Sequence, residues 1–503
     1  MKVINSLLGW YLRRRLPRLQ RYWQNPQLVQ NEQLMSLIHT AQNTIWGQEH
    51  LFSKIKTVAD FQRQVPISTY ENLQPLFQKM LNGQANLLWP GLVGQFSKSA
   101  GTTAGASKFI PVSTPNLKNC HLKGTLDTSA WWYHLQPKTR WFADGKGLIM
   151  GGSWQYHENS KIIVGDVSAL LMQFMPFYAK WFQTPNLATA LLPSWEEKLA
   201  KMVKICSQEP VTNISGVPTW TLLLFRQMLD LTGKSHILEL FPRFEVYMHG
   251  GVSFEPYRQQ FADLFPSPTV QYREIYNASE GFFAAQIMPQ EYEGMLLYLD
   301  NNVFFEFLPL SELDKSNPQA LTIEQVELNT TYAMVISTNA GLWRYLIGDV
   351  VKFSHLYPHH IQIVGRTKQF INVFGEELMV ANADAAISTV CKKHNAKIAE
   401  YTAAPIYMNN NQKGGHEWLI EFEQSPTNIA NFAADLDLQL QTLNSDYAAK
   451  RQADLAMLPL VLRVAPAGTF HAWLRSRGKM GGQNKVPRLS NQRDILESIL
   501  AVI

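Results

Sequence analysis

The run Ser97-Lys98-Ser99-Ala100-Gly101-Thr102-Thr103-Ala104-Gly105-Ala106-Ser107-Lys108 gathers residue types that handle a polyanion. Glycines let backbone N–H groups approach an anion closely, and the hydroxyls add donors. A triphosphate needs such a lining. The spacing is not that of a Walker loop, because Gly101 and Gly105 are only four apart and Lys108 is displaced. Taken alone, the run fits a plain Gly/Ser/Thr connector as well.

Three further stations invite chemistry. Tyr276-Asn277-Ala278-Ser279-Glu280-Gly281 follows the strand-like Thr269 to Arg273. A carboxylate there suits Mg2+, a hard cation that takes one or two carboxylates and fills its shell with phosphate and water. The same pattern also describes a surface turn. In Gly341-Leu-Trp-Arg-Tyr-Leu-Ile-Gly348-Asp349-Val-Val, Asp349 follows a glycine and precedes an apolar strand start. A lone carboxylate in that setting accepts both hydroxyls of a ribose; an ordinary Gly-Asp turn is the alternative. His249-Gly250-Gly251-Val252 closes the strand-like Phe244 to Met248. Its glycines would let a flat ring lie on the backbone, or would simply make a tight turn.

Other constellations fail. Pro358 forbids the helix that would put His355 and His359 on one face, so His355, His359 and His360 read as loop histidines. Gly151-Gly-Ser-Trp-Gln lacks the closing glycine of a nucleophile elbow. Trp131, Trp132, Trp141, Trp154, Trp181 and Trp195 read as core or pocket wall.

These stations need elements to hold them. Residues 1 to about 90 read as helices, with apolar residues at three- and four-residue spacing through Leu34, Leu37, Ile38 and Ala41. Beyond them, strand-like runs (Gly147 to Met150, Thr331 to Ile336) alternate with helix-like ones (Trp195 to Cys206, Trp220 to Thr232), which predicts an α/β architecture. A boundary falls near residue 368, between the strand-like Ile361 to Val364 and Phe370 to Phe374. It divides a large domain, 1–368, from a smaller α+β domain, 369–503, with strands at Glu417 to Phe422 and Leu460 to Val464. Near the end, the basic run 475–485 holds three glycines and reads as an irregular loop, anchored by Val486-Pro-Arg-Leu489.

Composition narrows the class. The 503 residues allow roughly three domains, or two large ones. With 46% hydrophobic and 17% charged residues, the chain is globular and not disordered. Its 3 cysteines, Cys120, Cys206 and Cys391, form neither a CxxC pair nor a zinc spacing, which excludes a disulfide scaffold and points to a reducing, cytoplasmic location. The net charge of +5 sits in one patch, Lys2, Arg13, Arg14, Arg15, Arg18 and Arg21, with no acidic residue before Glu32. That patch reads as a solvated helix packing Ile4, Leu7, Leu8 and Tyr11 inward, and the near-neutral remainder offers no nucleic-acid groove. The arginines follow the short apolar stretch rather than precede it, unlike a signal peptide. No run of roughly 18 uninterrupted apolar residues marks a membrane span.

Four motifs in order, three of these stations and a C-terminal run at Asn484 to Arg488, resemble the auxin-responsive (Gretchen Hagen) acyl acid amido synthetase family, in a bacterial-type form. That family belongs to the acyl-adenylate-forming superfamily. Ser99-Ala-Gly-Thr-Thr-Ala-Gly105 is similar to its phosphate loop and Tyr276-Asn-Ala-Ser-Glu280 to its Tyr-Ala-Ser-Ser-Glu motif. Gly341 to Val351 resembles its Tyr-Arg-…-Gly-Asp motif, and Asn484-Lys485-Val-Pro-Arg488 its Lys-…-Pro-Arg motif. The departures are Leu346 where a second arginine is expected, Ala106-Ser107 where glutamate is frequent, and a hinge reading Gly365-Arg-Thr-Lys-Gln.

The resemblance implies that Ser99, Ala100, Gly101, Thr102, Thr103 and Gly105 hold the phosphates of ATP. It puts adenine beside Gly250, Gly251 and Val252, and the nucleotide along Tyr276, Asn277, Ala278, Ser279 and Glu280. It further implies Mg2+ on Glu280, ribose on Asp349 with Arg366, and a catalytic Lys485 that reaches in from the small domain. The expected reaction joins a small carboxylic acid to an amine, an amino acid above all, through an acyl-AMP. A thiol acceptor and a non-catalytic nucleotide-binding protein are the rival readings. Oligomeric state is not legible.

Overall fold

The computed structural model describes residues 2–99, 108–141, 144–158, 160–175, 177–251, 254–288, 291–367, 370–371, 376, 378–407, 414–444, 447–448, 451, 457–477, 485–490 and 492–503. Among them runs a sheet of 11 strands. From one edge its order is Val303–Pro309, Thr331–Thr338, Tyr345–His355, His360–Arg366, Met295–Leu297, Phe282–Ala285, Gln271–Asn277, Val246–His249, Val211–Gly216, Lys146–Ile149 and Gln183–Thr184. Neighbours up to Gln271–Asn277 are antiparallel, and from there onward parallel. The parallel half needs crossovers, and the sequence supplies helices for them. Trp195–Cys206 starts on Ser194, whose hydroxyl accepts from Glu197 N–H, and buries Leu199, Met202, Val203 and Cys206. Pro218–Thr232 begins with a proline and ends on Gly233 in the left-handed region.

A second sheet orders Lys108–Val112, Gln95–Ser99, Ile163–Gly165 and Trp154–Tyr156. The chain from Ile371 onward builds a core of its own around Leu378, Ile387, Tyr401, Trp418 and Leu436. There Lys397–Ile406 pairs antiparallel with Gly415–Gln424, which pairs parallel with Val461–Ala465.

Several expectations need correction. The helix Lys2–Arg13 presents Leu12 and Leu8 inward and leaves Leu7 and Tyr11 exposed, while the Ile4 side chain lies outside the described residues. Polar anchors set that rotation: Asn5 donates to the Thr139 carbonyl at 3.0 Å, and the Tyr133 hydroxyl donates to Asn5 at 2.7 Å. Just beyond it, Arg15 pairs with Asp127 at 2.6 Å and Arg18 with Asp300 at 3.2 Å. Of the expected loop histidines only His359 lies in a turn; His355 ends the strand Tyr345–His355 and His360 begins His360–Arg366, because the hairpin between them is short. His359 and His360 are buried, and burial pushes both down to about 4. Asp349 lies inside the strand Tyr345–His355 rather than ahead of it, and Tyr276 and Asn277 lie inside Gln271–Asn277. The predicted strand from Phe370 shows only Phe370–Ile371, and 372–375 lie outside the described residues.

One buried ion pair pins the third station. Arg344 donates from Nη2 to Glu306 at 2.9 Å and from Nε at 3.0 Å, and from Nη1 to the carbonyls of Gln62 and Val65 at 2.9 and 2.8 Å. Both ionised side chains are shielded from water. Removing one partner strands the other charge, so Arg344→Met destabilises the protein by about 3–5 kcal/mol. A urea midpoint unchanged from the parent would refute that.

Candidate active site

A cleft of about 920 Å³ opens where the parallel strands end. Ligands collect at the carboxyl ends of parallel strands because the backbone leaves a crevice there. Lys146–Ile149 leads to Met150, Gly151 and Gly152; Val211–Gly216 leads to Val217; Val246–His249 leads to Gly250 and Gly251; Gln271–Asn277 leads to Ala278, Ser279 and Glu280. All of these residues line the cleft.

Glycine is required at two of these positions. A Cβ on Gly250 would lie 2.4 Å from the Ile275 carbonyl oxygen. Gly251 has φ +84°, and a Cβ there would press on Val217 and stand 3.4 Å from Lys485 Nζ. The lysine of the C-terminal unit therefore rests on the His-Gly-Gly loop. His249 is buried, stacks on Phe254 at 4.2 Å, and is pushed down to about 3 by burial and by Arg258, so it is neutral.

The antiparallel half closes the other wall. Asp349 pairs in register with Arg366, and Arg366 Nε meets Asp349 at 2.9 Å. The Tyr276 hydroxyl donates to the other Asp349 oxygen. Glu280 is buried, and burial with the Asp349 charge raises its carboxyl to about 7. Beneath it, Ser97 donates to Ser279 at 3.0 Å, tying the strand before the Gly/Ser/Thr run to the Glu280 turn. Lys485 lines the cleft, with its Nζ beside Gly251. Desolvation, with Arg366 and Arg488 against Asp349, brings it down to about 8.

The far end of the cleft is apolar and aromatic, lined by Met150, Val167, Trp195, Val217 and Trp220. Trp195 and Trp220 meet edge to face at 4.2 Å. Lys198 is buried beneath, donating to the carbonyls of Gly151 and Gly152 at 2.6 and 2.9 Å.

Of the site residues expected from sequence, Gly250, Gly251, Tyr276, Asn277, Ala278, Ser279, Glu280, Asp349, Arg366 and Lys485 all line this one cleft. Ala100, Gly101, Thr102, Thr103, Gly105 and Val252 lie outside the described residues, as does the Ser99 side chain. Sequence reasoning passed over Arg273, Glu274 and Arg258, also in the cleft wall, and Asp384 and Arg488 of the C-terminal unit. Arg488 stands in the quoted Lys-Val-Pro-Arg run, which was the available signal. Trp131, Trp132 and Trp141 are core, and Trp195 reaches the cleft.

The GH3 family N-terminal domain matches residues 15–270, its central domain 296–366 and its C-terminal domain 381–494, so the chain belongs to the GH3 family. It is 23% identical over 527 residues to the indole-3-acetic acid-amido synthetase GH3.3 of Arabidopsis thaliana, covering 87% of this chain and 85% of that one. It is also 23% identical over 534 residues to the jasmonoyl–L-amino acid synthetase JAR4 of Nicotiana attenuata, covering 92% and 90%. The solved GH3.15 acyl acid amido synthetase shares the fold with a TM-score of 0.78 over 97% of this chain and 96% of that one, at 15% identity. A 2-hydroxyisobutyryl-CoA ligase shares it at 0.60 over 93% and 90%, at 11% identity.

The Glu280 environment has a measurable consequence. Its folded value of about 7 lies above the ordinary 4.5, so the folded protein holds this proton more tightly than the unfolded chain does. The penalty is absent below about pH 4.5 and complete above about pH 7. In nucleotide-free, metal-free protein, Glu280→Gln is therefore more stable than the parent at pH 8, by up to about 3 kcal/mol, and the gain vanishes at pH 4.5. Denaturant titrations at the two pH values check it; an equal difference at both would contradict the assignment.

Proposed function

We propose that the protein is an ATP-dependent ligase that adenylates a small carboxylic acid and passes the acyl group to an amine, most plausibly an amino acid. The observation that carries the reading is Lys485 of the C-terminal unit resting on Gly251, in a cleft also lined by Asp349 and Glu280. The relatives' names support the amide product.

In this reading ATP is a substrate. Ser99 to Gly105 holds its phosphates, Gly250, Gly251 and Val252 flank adenine, and Tyr276 to Glu280 lines the nucleotide. Asp349 with Arg366 takes the ribose hydroxyls. The apolar end between Met150, Trp195 and Trp220 receives the organic acid, whose apolar body such a lining desolvates favourably.

The chemistry follows from charge. An acyl carboxylate must attack the α-phosphorus of a polyanion, and positive charge at the meeting point offsets the repulsion. Lys485 supplies it. The new bond is carboxylate oxygen to phosphorus, and the bond that breaks joins the α-phosphorus to the bridging oxygen, releasing pyrophosphate. The amine then attacks the acyl carbon, AMP leaves with the former carboxylate oxygen, and the nitrogen loses a proton. The small domain, 369–503, turns about residue 368 between the two steps.

Mg2+ fits the donor set in part. Glu280 is a buried carboxylate, and among the described residues no three His, Cys, Asp or Glu side chains converge as a metal cage. Glu280 would hold the ion as its one protein carboxylate, with phosphate and water completing the shell, and the ion would neutralise developing phosphate charge. A cytoplasmic location accords with three unpaired cysteines. Among the described residues no helix is long and apolar enough to cross a membrane.

The test is pyrophosphate release with ATP and Mg2+ across aryl, indole and fatty acids, with and without amino acids. Acid-dependent release that Lys485→Ala lowers at least 100-fold, with an amide product by mass spectrometry, is expected. A thioester product without amide would transfer the reading to a thiol acceptor, and no release with any acid would remove it. The ammonium at about 8 adds a pH signature. The charged form exists below that value, so kcat/KM for adenylation falls as pH rises through about 8. Lys485→Arg, always charged, retains low activity without that alkaline limb. An unchanged limb in that variant would assign it to another group.

A further inference from the structure

The segment bearing Lys485 is strapped to the C-terminal unit. Ala403 N–H donates to the Arg488 carbonyl at 2.8 Å, Ser490 N–H to the Ala403 carbonyl at 3.2 Å, and the Thr402 hydroxyl to the Pro487 carbonyl at 2.7 Å. Val486 to Leu489 is buried, and Lys485 is the residue that emerges. Arg488 lies three positions after Lys485, so whatever fixes Arg488 confines the Lys485 backbone to within about 10 Å.

Arg488 is fixed from both units. Its guanidinium pairs with Asp384, approaches Glu400 at 3.7 Å, and lies over the Tyr401 ring at 4.9 Å. Asp384 also accepts from the Tyr401 hydroxyl at 2.6 Å. Those groups belong to the C-terminal unit. The remaining fork of the guanidinium crosses over: Nη2 donates to the Tyr257 hydroxyl at 2.9 Å, and the charge lies 5.8 Å from that ring. Tyr257 is itself buried, in the single helical turn Glu255–Tyr257 that follows the His249-Gly250-Gly251 loop. The loop that Lys485 rests on and the hydroxyl that holds Arg488 are thus one short stretch of chain. A guanidinium is planar and permanently charged, and once buried it tolerates few positions in which its donors are satisfied.

We propose that Arg488, held between Asp384 of the C-terminal unit and Tyr257 of the N-terminal unit, is the positioning residue that sets Lys485 on the Gly251 loop for the adenylation step. The proposal rests on the reading of Lys485 given above. The Arg488–Tyr257 bond belongs to this domain arrangement, so it serves the first half-reaction and is dispensable for the second. Releasing it removes a buried tie between the units without disturbing the Asp384–Arg488–Tyr401 cluster that rides with the small domain.

Tyr257→Phe tests this, because it keeps the ring and removes the hydroxyl. Acid-dependent exchange of labelled pyrophosphate into ATP reads the first half-reaction. Amide formation from a chemically made acyl adenylate and an amino acid reads the second. Tyr257→Phe is expected to lower kcat for exchange about tenfold, the worth of one hydrogen bond to a charged group, with KM for ATP within twofold. Amide formation stays within twofold of the parent. Arg488→Lys, which keeps the charge and loses the fork, lowers exchange further in the same direction. Exchange at the parental rate in Tyr257→Phe would overturn the proposal. A parallel loss in both half-reactions with a lowered melting temperature would also overturn it, by making the contact merely structural. Absence of acid-dependent exchange in the unaltered protein would reject the ligase reading, and with it this proposal.

Discussion

The strand Gln271–Asn277 pairs parallel with Val246–His249 on one side and antiparallel with Phe282–Ala285 on the other, and the cleft depends on that reversal. Parallel pairing puts the carboxyl ends of five strands on one edge of the sheet, and four of them lead into the cleft. An antiparallel neighbour forces the chain to turn at once, through Ala278-Ser279-Glu280-Gly281. Ala278 N–H donates to the Gly281 carbonyl at 2.9 Å, so the turn is tight and delivers Glu280 into the crevice rather than past it. Beyond the reversal the strands come back as hairpins, and two of them set Asp349 opposite Arg366 on the facing wall. One change of strand direction thus brings together groups spread from residue 250 to residue 366.

Charge in the cleft is held out of balance. Glu280 is raised by burial and by Asp349, while Lys485 is lowered by desolvation and by Arg366. Asp349 is occupied twice, by Arg366 and by the Tyr276 hydroxyl. A carboxylate raised toward neutrality and an ammonium lowered toward neutrality each gain when a partner of opposite charge arrives. A nucleotide polyphosphate with its metal ion brings both signs at once. In the proposed function the site thus suits a ligand that is itself a paired charge system, and the free protein carries the desolvation cost in advance.

How much of this was legible in the sequence depended on locality. The helix Trp195–Cys206 was readable to the residue, because the Ser194 cap, the Glu196-Glu197 first turn and the apolar spacing are all local. The strand Gln271–Asn277 was read as ending at Arg273, because Arg273, Glu274 and Asn277 face a polar cleft and break the apolar signal. Asp349 was put ahead of its strand because Gly348 reads as a turn, whereas φ +89° at Gly348 is absorbed within a continuous strand. The face of the first helix was misjudged because hydrogen bonds to Thr139 and Tyr133, more than 120 residues away, outweigh its own hydrophobic pattern. Arg488 lay in a recognised motif, yet its partners Asp384 and Tyr257 are 104 and 231 residues distant, and no spacing rule reaches that far.

The contacts between the two units differ in kind from the cores on either side. Arg226 meets Glu423 at 2.5 Å, Lys397 meets Asp263 at 2.7 Å, and Arg475 meets Glu196 at 3.1 Å, all at partly exposed positions. Exposed pairs of this kind are each worth about 0–1 kcal/mol, because water competes for both charges. Such pairs can open and re-form at little cost, whereas the core around Trp418 and Leu436 cannot open without exposing apolar surface. Arg488 is the exception, a fully desolvated charge at the same boundary. Its ties to Asp384 and Tyr401 remain with the small unit, so moving that unit need not strand the charge; only the bond to Tyr257 has to be given up. If the two half-reactions use different domain arrangements, as proposed, such an asymmetry serves them: exposed ion pairs over part of the face, and buried directional contacts, Arg488 to Tyr257 and Gln260 to the Ile398 carbonyl, that define where the lysine stops.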